Sequence, residues 1–174
     1  MAQLIVFAAG SALMLYISRK GLVDRHSYGY YRFFGFEFVL LSIVANMDPW
    51  FVSPFAPLQL ISWLALASSI AIAAVGFVTL RKNGKPASGV DDTTLIVTSG
   101  IYRFIRHPLY LSLILLEIGA VLKSPSLFGG ILIVGGMFSF FSTARAEETF
   151  NTAKFGAVYE EYMVHTKMFV PYLF

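Results

Sequence analysis

The sequence contains no cysteine and few charged side chains. Charged residues make up 13% of its 174 residues, whereas a typical soluble domain carries about 25%. The absence of cysteine excludes disulfides and thiolate metal sites, and it leaves the redox compartment open. The shortage of charge leaves too little polar surface for a soluble domain of this length, so a water-soluble globular protein is excluded.

The residues that the chain has instead are apolar and fall into long runs. Hydrophobic residues make up 57% of the chain and aromatic residues 16%. The clearest run, residues 58–80, has no charge and is long enough to cross a bilayer, which takes about 20 residues. Four further runs cover residues 4–17, 33–47, 109–122 and 127–141. The sequence therefore predicts an all-α integral membrane protein, a bundle of five transmembrane helices with a cytoplasmic C-terminal amphipathic tail.

The first run has a competing interpretation as a cleaved signal peptide. A signal peptide carries its positive charges before the apolar stretch, whereas Arg19 and Lys20 follow this one. No small-residue cleavage site is evident either. We therefore favour a transmembrane helix.

The distribution of positive charge predicts an orientation in the membrane. Of the 13 Lys and Arg residues, only Lys123 falls on the side that holds the N-terminus of a five-span protein. Because cytoplasmic loops are enriched in Lys and Arg, the N-terminus is expected outside the cell. The C-terminus, the first and third connectors and the polar residues discussed next are expected in the cytoplasm.

A first polar cluster stands where a connector meets the fourth apolar run. Tyr102, Arg106 and His107 lead up to Pro108, which suits a first helical turn because its missing N–H would be unpaired there in any case. The spacing therefore places Arg106 and His107 at a helix N-terminus, where free backbone N–H groups favour anions.

A second polar cluster, Arg145, Glu147 and Glu148, follows the fifth run and should return to the same membrane boundary. No helix breaker intervenes, so we expect the helix to continue into the cytoplasm. Arg145 and Glu148 are three residues apart and can face together, with Glu147 pointing elsewhere; a plain surface ion pair is the alternative. Our interpretation is that the two clusters close over one ligand.

Two carboxylates lie inside apolar runs. On a helix that begins near Pro108, the residues Tyr110, Ile114 and Glu117 share one face, which His107 overlooks. An ionisable residue within a span is costly and indicates function by default, but a protonated or hydrogen-bonded structural Glu117 is equally compatible. Glu37 in the second run has the same two interpretations, with less support for function because nothing else polar shares its face.

Two other kinds of site are poorly supported. The three histidines are scattered and no metal-ligand spacing occurs, so we predict no metal site. No basic tract with interleaved aromatic residues occurs either, so nucleic acid is a poor candidate partner. The sequence leaves the oligomeric state open.

The polar clusters belong to a series of short motifs that recur in a known family. Over residues 94–171 the chain resembles the isoprenylcysteine carboxyl methyltransferase and phospholipid methyltransferase family, which are integral membrane methyltransferases. The motifs that carry the resemblance are residues 95–102, 106–110 and 145–148, then Phe155, Gly156, Tyr159, Tyr162 and Pro171.

Together with the apolar runs, which predict three N-terminal spans in residues 1–80, the resemblance implies a single membrane domain over residues 1–174. Its residues 81–174 are then a cofactor-binding core with a helical hairpin and a tail. It implies that S-adenosylmethionine binds from the cytoplasmic side, leaves as S-adenosylhomocysteine, and methylates a lipid-like acceptor that enters from the bilayer. By the same resemblance the cofactor is held by Thr94, Leu95, Ile96, Val97, Tyr102, His107, Pro108, Leu109, Tyr110 and Glu147. The charge of Arg106 adds a second group that, with His107, can meet the cofactor carboxylate.

The identity of the acceptor depends on the candidate catalytic residues Arg145, Glu148 and Glu117. Relatives that methylate prenylcysteine carry an Arg four residues before the cofactor Glu, where this chain has Thr143. Arg145 nonetheless favours a carboxylate acceptor of the isoprenylcysteine type, which we rank first. A phospholipid amine ranks second, because Glu117 or Glu148 can take the proton that an amine must lose. A non-catalytic membrane binding or scaffold protein with the same fold is the third hypothesis.

Overall fold

The computed structural model describes residues 1–48, 50–85 and 93–173, and within these ranges the chain is helical. Six α-helices are present there: α1 (Ala2–Ser18), α2 (Tyr28–Ala45), α3 (Pro57–Gly84), α4 (Pro108–Val121), α5 (Leu127–Phe155) and α6 (Ala157–His165). A short 3-10 helix, Gly100–Arg103, precedes α4. The all-α prediction is confirmed. The polar connector predicted around Pro86 and Gly89 lies outside the described residues.

Local capping explains where the helices begin and end. Ser27 caps α2, its hydroxyl accepting a hydrogen bond from the Tyr30 N–H at 3.2 Å, so this helix starts before the apolar run does. Pro57 and Pro108 occupy the first positions of α3 and α4. As predicted, α5 continues past its apolar run, and it ends at Gly156, whose φ of +60° most side chains avoid.

The five long helices run back and forth between two ends of a bundle. At one end, the Gln3 amide donates to Asp48 at 2.9 Å and the Gln59 amide donates to the carbonyl of Lys123 at 3.1 Å. At the other end, the ring of Tyr28 lies 5.7 Å from that of Phe150. We call these the Lys123 end and the His107 end. Between them α2 packs chiefly on α5, α3 on α4, and α1 on α2.

Two of these helices, α3 and α5, are long and apolar enough to cross a membrane. Two more, α1 and α4, are apolar but shorter. These assignments rest on length and composition, and the complete five-span arrangement stays a prediction.

The two carboxyl groups within the apolar runs each have a polar neighbour. Glu37 accepts a hydrogen bond from Ser11 of α1 at 2.5 Å, a partner that the sequence did not indicate. Glu117 is fully buried, and one of its oxygens accepts from Ser42 of α2 at 3.3 Å. Its other oxygen faces Gly136 of α5 and has no hydrogen-bond partner among the described residues.

The segment after α5 folds back over the His107 end. Its backbone pairs with the residues before α4: Arg106 N–H donates to the Lys167 carbonyl at 2.8 Å, and Lys167 N–H donates to the Phe104 carbonyl at 3.2 Å. Met168 and Phe169 are buried in the same apolar cluster as Phe140 of α5. The tail expected on the membrane or over the site therefore lies over this end of the bundle.

Candidate active site

His107 is buried at the N-terminus of α4 and joins three elements. Its ring stacks on that of Tyr110 with 5.5 Å between the centroids, and residue exposure is 5%. Its Nε2 atom lies 3.2 Å from Oε1 of Glu148, and its backbone N–H donates to the Met168 carbonyl at 3.1 Å. The imidazole orientation is therefore fixed from α4, from α5 and from the C-terminal segment.

Glu148 pairs with Arg106, not with Arg145. The Nε atom of Arg106 donates to Oε1 of Glu148 at 2.6 Å, and both side chains are about nine-tenths buried. The Nη1 atom of Arg106 donates to the carbonyl of Thr166 at 2.5 Å and to that of Met163 at 3.3 Å. Arg106 thus neutralises a buried carboxylate and caps the end of α6 with the same guanidinium.

The expectation that Arg145 faces together with Glu148 was wrong. Arg145 is exposed, whereas Glu148 is buried. The reason is the rotation of α5, because Phe140 and Ala144 are fully buried and Glu148 continues their four-residue spacing.

Glu147 faces a different neighbour from Glu148. Its Oε2 atom accepts a hydrogen bond from the Tyr110 hydroxyl at 2.6 Å and lies 3.8 Å from Nδ1 of His107. The Glu147 side chain is 26% exposed. One oxygen is thus held by the protein while the carboxylate stays accessible to a ligand.

A cavity opens beside His107 and Glu147. It encloses about 690 Å³ of empty space, counting its open mouth. The two polar clusters do meet at one hollow, as the sequence indicated. Its walls are formed by Leu80, Thr93, Ile96, Val97, Tyr102, Arg106, His107, Pro108, Leu109, Tyr110, Glu147, Asn151, Phe155, Tyr159 and Tyr162.

Five of the predicted site residues do not line this cavity. Thr94 turns away, and its hydroxyl donates to the Lys85 carbonyl at 2.9 Å; Leu95 is exposed. Arg145 is exposed, and Glu148 lies behind the wall on Arg106. Glu117 lies deeper in the bundle, beyond Ile114 on the same helix face. The other predicted cofactor residues, from Ile96 to Glu147, contribute to the walls.

Sequence reasoning missed several wall residues, and Asn151 is the clearest of them. It lies four residues after Glu147 on α5 and therefore on the same helix face. That spacing was a usable signal. Leu80 and Thr93 carried no such signal. The packing of α3 brings Leu80 to the wall, and Thr93 lies outside that helix, next to Thr94, whose N–H donates to the Gly84 carbonyl at 3.0 Å.

Buried phenols form part of the wall and remain hydrogen-bond donors. Burial raises the pKa of Tyr102 far above its usual value, and the nearby Glu147 carboxylate raises it further. Burial likewise raises the pKa of Tyr159 and of Tyr162. The Tyr162 hydroxyl donates to the Tyr102 carbonyl at 2.7 Å, which ties α6 to the 3-10 helix. The phenols are therefore neutral at physiological pH.

Comparison with known families identifies the relationship. The family model described as phospholipid methyltransferase matches residues 58–158, more than half of the chain, and the match includes both polar clusters and most of the cavity wall. The chain belongs to the phospholipid methyltransferase family. Its members are membrane methyltransferases that generally use S-adenosylmethionine. Searches of curated proteins and of solved structures found no match.

Membership confirms the resemblance noted from the motifs. The match begins at the start of α3 and ends in the first turn of α6. As a member of the phospholipid methyltransferase family, the protein is therefore a membrane methyltransferase.

Proposed function

We propose that this protein transfers a methyl group from S-adenosylmethionine to an amine on a membrane-borne, lipid-like acceptor, within the cavity at the His107 end. The observation that carries the proposal is that His107 and Glu147, from distant parts of the chain, line one hollow at the end of an apolar bundle. Family membership supports the reaction class.

The residues of the cavity fit the cofactor by their chemistry. The free oxygen of Glu147 can accept hydrogen bonds from ribose hydroxyls or from an ammonium group. Tyr102 and Phe155 offer ring faces on which a base or a sulfonium cation can lie. A mixed wall of this kind, apolar with a few convergent polar groups, is typical of small-molecule sites.

An amine acceptor is favoured over a carboxylate by the placement of the arginines. A carboxylate needs a cation to orient it, and the sequence offered Arg145 for that role. Arg145 is exposed and outside the wall, while Nε and Nη1 of Arg106 are engaged with Glu148 and with backbone carbonyls. The groups that face the cavity, His107 and Glu147, are instead those that can take a proton from an amine.

The protein contributes positioning and proton removal to this reaction. When bound, S-adenosylmethionine supplies a methyl group that leaves its sulfur as the acceptor nitrogen attacks. Glu148 holds Nε2 of His107, which leaves Nδ1 directed to Glu147 as the proton-accepting side. The phenols and apolar residues of the wall exclude water, which competes with the acceptor. Orientation of the reactants can contribute about 7–11 kcal/mol to lowering the barrier.

We further propose that the His107 end faces the cytoplasm and that five helices span the membrane. The alternating course of α1 to α5 and the excess of Lys and Arg at this end support the orientation. Because the chain has no native cysteine, single cysteines at Ser53 and Ala153 can be labelled with a membrane-impermeant maleimide. We expect Ser53→Cys to react only from outside and Ala153→Cys only from the cytoplasm. Reaction of both from one side would contradict the layout.

The activity is tested on the purified protein in detergent. We expect S-adenosylhomocysteine to bind in a calorimetric titration, and labelled S-adenosylmethionine with native lipid extract to give a methylated lipid. His107→Ala should reduce turnover at least a hundredfold, within the range for removing a general base. His165→Ala, which removes an exposed histidine of α6, is the matched control.

The product decides between the hypotheses. An N-methyl group survives alkaline treatment, whereas a methyl ester is hydrolysed and releases methanol. Release of methanol would therefore contradict the amine and support a carboxylate acceptor. Binding of S-adenosylhomocysteine without any methylated product from native lipid would favour the non-catalytic hypothesis. An absence of binding would remove the proposed function altogether.

A further inference from the structure

Asn151 has no role in the proposed methyl transfer. It lines the cavity one helical turn beyond Glu147, on the same face of α5. Phe155 lies four residues further along the same helix face, and its ring and that of Tyr159 of α6 also line the cavity. The cavity therefore has a second polar point, flanked by two aromatic rings.

Asn151 and Glu147 lie at different heights along α5. At Glu147 the helix lies beside Tyr110, next to the apolar core, and Asn151 lies about 6 Å further along the helix axis. A lipid-like acceptor comes from the apolar side, so the methyl group has to lie near Tyr110 and Glu147. With the ribose hydroxyls on Glu147, the adenosyl arm of the cofactor runs along α5 toward Asn151 and the methionine arm runs away from it.

The chemistry of a carboxamide matches the edge of adenine. Adenine presents an amino group that donates beside a ring nitrogen that accepts, and asparagine can pair with both at once. A carboxamide has two N–H donors and two acceptor lone pairs, so Asn151 can donate and accept at the same time. Phe155 and Tyr159 supply ring faces for the base.

We propose that Asn151 recognises the adenine base of the cofactor through the donor and the acceptor of its amide. This inference rests on the proposed function, because it requires that S-adenosylmethionine occupies the cavity. It assigns to Asn151 a part in cofactor specificity and none in proton transfer.

The test combines one variant with one altered ligand. Dissociation constants are measured for S-adenosylhomocysteine and for its N6,N6-dimethyl analogue, in which the amino group can no longer donate. We expect the wild type to bind the analogue roughly tenfold more weakly, and Asn151→Ala to bind S-adenosylhomocysteine roughly tenfold more weakly, as for one bidentate base contact. In Asn151→Ala the two ligands should bind equally well. Thr149→Ala, an exposed position on the same helix, should keep the wild-type preference.

The outcomes separate the inference from the proposed function. If Asn151→Ala still prefers the unmodified ligand tenfold, the inference is overturned while cofactor binding stands. If the wild type binds neither ligand, the proposed function fails and the inference with it. Should Asn151→Ala not fold, Asn151→Asp keeps the shape and the acceptor for the amino group but loses the donor. It should bind both ligands more weakly and keep the preference; unchanged affinity would overturn the inference.

Discussion

The two ends of α4 handle buried charge in opposite ways. At the His107 end, the Glu148 carboxylate is held by the Arg106 guanidinium and by the His107 imidazole, and a cavity opens beside them. At the Lys123 end, a single ammonium is 3% exposed and lies 3.3 Å from the centroid of the Trp63 ring. In the described part of the chain its Nζ atom has no hydrogen-bond partner.

The difference shows what distinguishes a site from a structural anchor. Charge-assisted hydrogen bonds at the His107 end fix groups that still face an open space. At the Lys123 end, ring faces mask the charge and leave no group directed outward; the ring of Trp50, 5.7 Å from Nζ, adds to the masking. A change at the first end is therefore expected to disturb folding and ligand binding together. A change at the second should affect stability alone.

The largest effect is expected from breaking the pair at the His107 end. Arg106→Met leaves the Glu148 carboxylate buried without its cation and should lower the free energy of unfolding by about 3–5 kcal/mol. It should also release α6, which limited proteolysis of residues 157–173 would detect. Arg103→Met, an exposed position just before it, should change stability by less than about 0.5 kcal/mol.

A second variant sharpens that prediction. The double variant Arg106→Met with Glu148→Leu removes both charges, so most of the lost stability should return. If the double variant is as unstable as Arg106→Met alone, the buried carboxylate is not the source of the loss.

An intermediate effect is expected between the two ends, where Glu117 meets α5. A methyl group on Gly136 would overlap the Glu117 carboxylate, so Gly136→Ala should destabilise the bundle by about 1–3 kcal/mol. Thermal unfolding in detergent measures this. At Gly130 of the same helix no atom of the described residues lies within 4 Å of the added methyl, so Gly130→Ala should be neutral or stabilising by about 0.5–1 kcal/mol.

Glu117 itself gives the comparison with the active site. Because it lies outside the cavity, Glu117→Gln should leave the dissociation constant of S-adenosylhomocysteine within twofold of the wild type. A larger change would place Glu117 in the functional machinery after all.

The smallest effect is expected at the Lys123 end and depends on pH. Burial lowers the pKa of the Lys123 amine from its usual value of ~10.4, and the contact with Trp63 offsets part of that cost. At pH values between the lowered pKa and ~10.4, the unfolded chain binds more protons than the folded chain. The free energy of unfolding of the wild type should therefore rise with pH relative to that of Lys123→Met. Thermal unfolding of both proteins over this pH range measures the rise.

The matching control is Lys82→Met, which removes an exposed lysine from the other end. An equal rise for both lysines would show that general charge, and not burial, sets the effect.

The sequence predicted those features that depend on helical spacing or on a short motif. Tyr110, Ile114 and Glu117 share one buried face of α4 because they recur at the helical period. The sequence did not predict which side chains of α5 face the interior, because the rotation of the helix about its axis decides this. Arg145 and Glu148 are close enough in sequence to pair, but Phe140 and Ala144 turn Glu148 inward and leave Arg145 outside. Pairing of residues 104–107 with 167–168 depends on distant backbone contacts that have no periodic pattern.

The folded-back C-terminal segment has a consequence for biosynthesis. Met168 and Phe169 complete the apolar cluster around Phe140, and Tyr159 and Tyr162 form one wall of the cavity. A ribosome-bound chain whose α1 to α5 are already inserted therefore has both polar clusters but an unfinished pocket. The pocket closes only after residue 169 has left the exit tunnel, so on our proposal a nascent chain binds S-adenosylmethionine only after that point.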